Sequence, residues 1–177
     1  MSCILIYLLA KNPDLLVKRL KIKEKEKTQK MYLILSIIVS IITFIVPGLD
    51  FRFNWSKVPV SVVLISTIIM MSGYLMFFIV MKQNTYASRV IEIQDEQKLI
   101  DTGFYSFIRH PMYLAGTIIY GFTPLVLGSF YALIPMVFIP LLLIIRIKNE
   151  EKVLVNGLKG YDEYMKRLRY RLFPFIW

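Results

Sequence analysis

Three stretches of this chain carry no charged side chain: residues 31–49, 58–81 and 111–145. A helix needs ~20 apolar residues to cross a bilayer, and each stretch reaches or nears that length. The chain is therefore read as an integral membrane protein. Composition agrees, with 56% hydrophobic residues against about 45–50% in soluble domains. The expected fold class is all-α, a polytopic membrane helical bundle. It has about four clear transmembrane helices plus C-terminal cytoplasmic helices, in a single domain over residues 1–177.

Within that frame, residues 1–30 form a basic N-terminal segment and residues 31–89 hold the first two spans. Residues 2–10 are apolar but too few to cross a bilayer. No basic residue precedes them and no small-residue cleavage site follows, so a signal peptide is not expected. Pro47-Gly48 is expected to end the first span. Phe51, Phe53 and Trp55 in the following loop fit an interfacial aromatic belt. Gly73, with Ser66 and Ser72, suits close helix approach in the second span. Residues 88–94 alternate roughly with period two and suggest a short extended piece. The stretch 111–145 is about right for two spans, with Gly128-Ser129 as the turn between them. Pro124, Pro135 and Pro140 inside it predict kinks. After residue 145, Leu154, Leu158, Tyr161, Met165 and Leu168 recur at helical steps, and Gly157 and Gly160 break the pattern into two helices. The basic and aromatic residues 167–177 read as an interface anchor.

Of the 22 lysines and arginines, 20 fall in the segments that four spans place on one side. The positive-inside rule makes that side the cytoplasm. The expected protein is therefore integral and multi-pass, with its basic N-terminal segment, its polar cluster and its C-terminus cytoplasmic. A net charge of +10 in so apolar a chain is read as juxtamembrane residues facing anionic membrane lipids, not as nucleic-acid binding. The single cysteine, Cys3, allows no internal disulfide.

Polar residues meet hydrocarbon at one point. Residues 103–113 hold the only histidine, His110, beside Arg109 and Pro111, with Tyr105 and Tyr113 flanking. Arg146 and Glu150 share a helix face where the fourth span leaves the membrane. Ionisable groups at such a junction are costly and usually functional. Spacing alone is accounted for by an intrahelical ion pair, a snorkelling arginine and belt tyrosines. One His and one Cys do not make a zinc site, so no metal is expected. Glycine-rich phosphate loops are missing, and no serine sits in a nucleophile-elbow context.

The run Gln97-Lys98-Leu99-Ile100-Asp101-Thr102-Gly103-Phe104-Tyr105 is followed by Arg109-His110-Pro111-Met112-Tyr113. Next come Arg146 with Glu150-Glu151, then Gly160-Tyr161-Asp162-Glu163-Tyr164 and a basic, aromatic tail. Together these resemble the isoprenylcysteine carboxyl methyltransferase family, part of a wider group that includes phospholipid methyltransferases. The resemblance covers residues 90–177, about half the chain, which it makes the cofactor-binding catalytic core. It implies an integral membrane enzyme that uses S-adenosyl-L-methionine without a Rossmann domain. Carried over by position, Gln94, Gln97, Lys98, Leu99, Ile100, Tyr105, His110, Pro111, Met112, Tyr113 and Glu150 line the cofactor pocket. Arg146 faces a lipidic methyl acceptor as the catalytic residue. Carboxyl O-methylation of an isoprenylcysteine-like lipid is the expected reaction. The alternatives are a phospholipid amine N-methyltransferase and a nicotinamide-dependent membrane reductase. No obligate protein partner is implied.

Overall fold

The computed structural model describes residues 10, 27–86, 91–94 and 96–177. The expectations for residues 2–9, for most of the basic segment and for the start of the extended piece at 88–94 lie outside the described residues. Residues 91–94 have no regular secondary structure. Among the described residues, six helices follow in order: α1 (Lys27–Phe53), α2 (Val60–Gln83), α3 (Pro111–Val126), α4 (Leu133–Met136), α5 (Phe138–Gly157) and α6 (Tyr161–Arg167). A 3-10 turn spans Gly103–Ser106. No strand occurs among the described residues.

Helices α1 and α2 are long and apolar enough to cross a membrane. Ile34, Ile38 and Ile42 on α1 and Leu64, Ile68 and Leu75 on α2 are exposed, a costly arrangement in water and a neutral one against lipid tails. The second pair of expected spans is shorter. The stretch 111–145 is divided between α3, α4 and the first part of α5, with the intervening turn at Gly128 in the left-handed conformation (φ +76°). Helix α3 has 16 residues and rises about 24 Å, against a hydrocarbon core of about 30 Å.

Pro47-Gly48 does not end the first span. Helix α1 continues through it to Phe53 and stops where Asn54 turns left-handed (φ 53°). Proline is tolerated there because the rest of the ladder stays helical, which is the only satisfied state for backbone near lipid. The end is fixed by Asp50. Its carboxylate accepts the Ser56 N–H (2.7 Å), the Ser56 hydroxyl (2.6 Å) and the Ser129 hydroxyl. That buried cluster ties the C-terminal end of α1 to the α3–α4 turn.

Helix α2 packs along α3, and α1 crosses α4 and α5. At the other end of the bundle, the Arg109 and His110 N–H groups donate to the Tyr170 and Arg171 carbonyls at 2.9 Å each. The C-terminal tail thus serves backbone donors just before α3 begins. Helix α6 follows Gly160, which takes φ +83°, and buries Tyr161 and Tyr164 with Leu158 against Ile93 and Leu99.

Candidate active site

Pro111 opens α3, where its fixed φ suits the first helical position. That start aims His110 and Tyr113 toward α5, and their rings stack with centroids 5.6 Å apart. The Tyr113 hydroxyl donates to Glu150 Oε2 (2.5 Å) and accepts from Arg146 Nε (2.9 Å). Arg146 also donates from Nη1 to Gln29 Oε1 (2.9 Å), and its guanidinium lies 5.0 Å from the centre of the Tyr32 ring. A continuous chain therefore runs Gln29–Arg146–Tyr113–Glu150, from the N-terminal end of α1 across α5 and α3.

Glu151, one residue on, belongs to a different network. Its Oε1 accepts from Arg109 Nε (2.8 Å) and from His110 Nε2 (3.3 Å), and its Oε2 accepts from Arg171 Nε (2.8 Å). Burial alone raises its carboxyl. The hydrogen bonds from His110 and Arg171 and the charges of His110 and Arg109 outweigh that and hold it at about 2. An ionised carboxylate only accepts, so His110 Nε2 carries the proton in this contact. Arg109 is buried as well and gives Nη1 to the Leu168 carbonyl (2.7 Å), so this network locks the tail to the start of α3.

These elements enclose a cavity of about 930 Å³. Its polar end is walled by Gln97, Lys98, Leu99, Ile100, Tyr105, His110, Met112, Tyr113, Arg146 and Glu150, ten of the twelve residues singled out from sequence. Tyr105 is held by the Asn84 amide, which donates to its hydroxyl at 2.9 Å. Gln94 and Pro111 are not on the wall. Gln94 stands behind it, its N–H donating to Gln97 Oε1 (3.0 Å) and its amide to the Tyr86 carbonyl (2.7 Å). Pro111 is buried in the first turn of α3, spent on starting the helix.

The wall also includes Tyr32, Asn84, Tyr86, Arg109, Tyr161 and Tyr164, which sequence reasoning did not assign. One signal for α1 was present: Gln29, Tyr32, Ser36, Ser40, Thr43 and Asp50 recur at steps of three, four and seven, marking one helix face. Away from the polar end, the cavity continues between α1 (Ser36, Ile37, Ser40, Ile41, Phe44), α3 (Gly116, Thr117, Tyr120) and α5 (Ile139, Leu143). The Ser36, Ser40 and Thr117 hydroxyls donate to carbonyls of their own helices at 2.7–2.9 Å, so the walls there are effectively apolar. No cluster of potential metal ligands occurs among the described residues.

A family model described as the isoprenylcysteine carboxyl methyltransferase (ICMT) family matches residues 62–156, just over half the chain. The match runs from α2 to the end of α5 and includes both partners of the Tyr113–Glu150 contact. It leaves α6 and the tail outside. Comparison with curated proteins gave no match.

Proposed function

Because the chain belongs to the isoprenylcysteine carboxyl methyltransferase family, we propose that it is a membrane-embedded methyltransferase that uses S-adenosyl-L-methionine to methylate the carboxylate of a lipid at the cytoplasmic face. The observation that carries this reading is the joining of Arg146 and Glu150 through one tyrosine hydroxyl, at the point where the polar and apolar parts of a single cavity meet.

The residues present fit the cofactor. A sulfonium with an amine and a carboxylate needs aromatic walls and an anionic group. Tyr105 and Tyr113 supply rings, and Glu150 supplies the carboxylate. The cavity lies at the upper end of the ~300–1,000 Å³ typical of ligand sites, which leaves room for a second molecule. When bound, the cofactor supplies an electrophilic methyl on a good leaving group.

The chain's own residues then have three tasks. Glu150 receives donors of the cofactor, oriented by the Tyr113 hydroxyl. Arg146 holds the acceptor carboxylate by a charge-assisted contact, its guanidinium fixed by Tyr113, Gln29 and Tyr32. A carboxylate nucleophile needs no base, and positioning two reactants in one cavity contributes on the order of 7–11 kcal/mol. The apolar branch takes the lipid tail. Its α1 wall runs from Tyr32 to Ile45, which is about 20 Å of helix.

Titration of the purified protein with S-adenosylhomocysteine, paired with transfer of a labelled methyl group on whole membranes, tests the proposal. Arg146→Ala is expected to lower methyl transfer by 100-fold or more, about 3 kcal/mol for a lost charged contact. Cofactor affinity should change by less than about threefold, under 1 kcal/mol. Equal loss of both would remove Arg146 from the acceptor side. Binding of a reduced nicotinamide in place of S-adenosylhomocysteine would move the protein to the reductase class. A labelled phospholipid amine would replace the carboxylate acceptor.

A further inference from the structure

Tyr161 stands out among the wall residues because its hydroxyl has nothing to bond to. The residue is 3% exposed and lies on the cavity wall, and its oxygen is buried without a hydrogen-bond partner. Tyr164, one turn along the same helix, shows the usual arrangement: its hydroxyl donates to the Tyr105 carbonyl at 2.6 Å. Buried polar groups are almost always paired, and one left unpaired destabilises the protein. An orphaned donor on a cavity wall has an acceptor atom of a ligand as its natural partner.

We propose that Tyr161 is a cofactor-contacting residue whose hydroxyl donates a hydrogen bond to an acceptor atom of S-adenosyl-L-methionine. This rests on the cofactor reading above and extends it to a residue outside the segment the family model matches. Position supports it. Leu99, which with Lys98 and Ile100 lines the polar end, packs against the cluster that holds Tyr161. The phenol is also kept as a donor. Burial, and then the nearby charges of Glu151 and Glu150, push its ionisation well above the usual tyrosine range. Gly160, left-handed at φ +83°, sets the angle at which α6 presents the ring. Helix α6 therefore contributes a ligand contact as well as a hydrophobic seal.

The test compares the full-length protein with Tyr161→Phe in the same detergent, by calorimetric titration with S-adenosylhomocysteine and by thermal unfolding without ligand. Affinity is expected to weaken by about three- to tenfold, the worth of one neutral hydrogen bond. The ligand-free variant should unfold at the same or a higher temperature, because an unsatisfied buried hydroxyl has been removed. A clear loss of ligand-free stability would mean that the hydroxyl already has a partner within the protein and would overturn the proposal. Unchanged affinity in a protein that binds S-adenosylhomocysteine would overturn the Tyr161 assignment alone. Failure of the unaltered protein to bind would overturn the cofactor reading and this assignment together.

Discussion

Successive helical residues point about 100° apart, so Glu150 and Glu151 cannot share an environment. Glu150 faces the cavity and Glu151 faces Arg109, His110 and Arg171. Replacing Glu151 by glutamine leaves the buried cation of Arg109 and the half-buried one of Arg171 around a neutral amide. The expected cost is roughly 3 kcal/mol, read as a lowered unfolding temperature in detergent. The pH dependence follows from the same contacts. The carboxyl sits at about 2 in the folded protein against an ordinary 4.5. As pH falls through 4.5, the unfolded chain takes up this proton and the folded one does not. The stabilisation is complete above pH 4.5 and disappears as pH approaches 2. Unfolding temperature should decline across that interval, and Glu151→Gln should flatten the decline. The sequence made the Arg146–Glu150 face legible, because a spacing of four needs no tertiary information. It gave no indication of Glu151's task, which depends on Arg171, twenty residues away beyond two glycines.

At the scale of elements, helix approach is set by small residues. Gly73 on α2 is buried against α3, and a Cβ placed there would lie 2.9 Å from Ile118 Cγ2 and 3.1 Å from Ile119 Cγ1. Ile118 is β-branched and has little rotamer freedom in a helix, so it cannot swing aside. Gly73→Ala should therefore destabilise the protein by about 1–3 kcal/mol through overpacking, despite alanine's better helix propensity. The measurement is thermal unfolding beside Gly116→Ala. A Cβ at Gly116 meets nothing within 4 Å, so that variant should hold its stability. Gly73, Gly128 and the pair Gly157 and Gly160 were all readable as close approach, turn and break, since a missing Cβ and a free φ are properties of glycine itself. Pro47 misled for the converse reason. A proline signals a helix end in water, but α1 takes its end from Asp50, whose partners Ser56 and Ser129 come from two different parts of the chain. The inward face of α1 was written in its polar spacing, yet only Arg146 reaching Gln29 explains why that face turns toward α5.

The whole molecule has two ends with different chemistry, and the proposed sidedness follows from them. One end carries the Asp50 cluster and the α3–α4 turn, and the other carries the polar part of the cavity, α6 and the tail. Of the 22 lysines and arginines, 20 belong to sequence segments that four spans assign to the second end. Under the proposed topology of four crossings, that end lies in the cytoplasm. The shortness of α3 bears on how the site meets the membrane. Under the proposed topology, a crossing helix that rises about 24 Å is expected to thin the bilayer locally at the site. Topology is tested with single cysteines in a Cys3→Ser background. Tyr131→Cys lies in the α3–α4 turn and Phe175→Cys in the tail, both at exposed positions. A membrane-impermeant maleimide applied to intact cells should label Tyr131→Cys and reach Phe175→Cys only after the cells are opened. Labelling of both from outside would mean that α3 and α5 do not complete a crossing pair. The reverse pattern would place the cavity mouth on the outer face, away from a cytoplasmic cofactor supply.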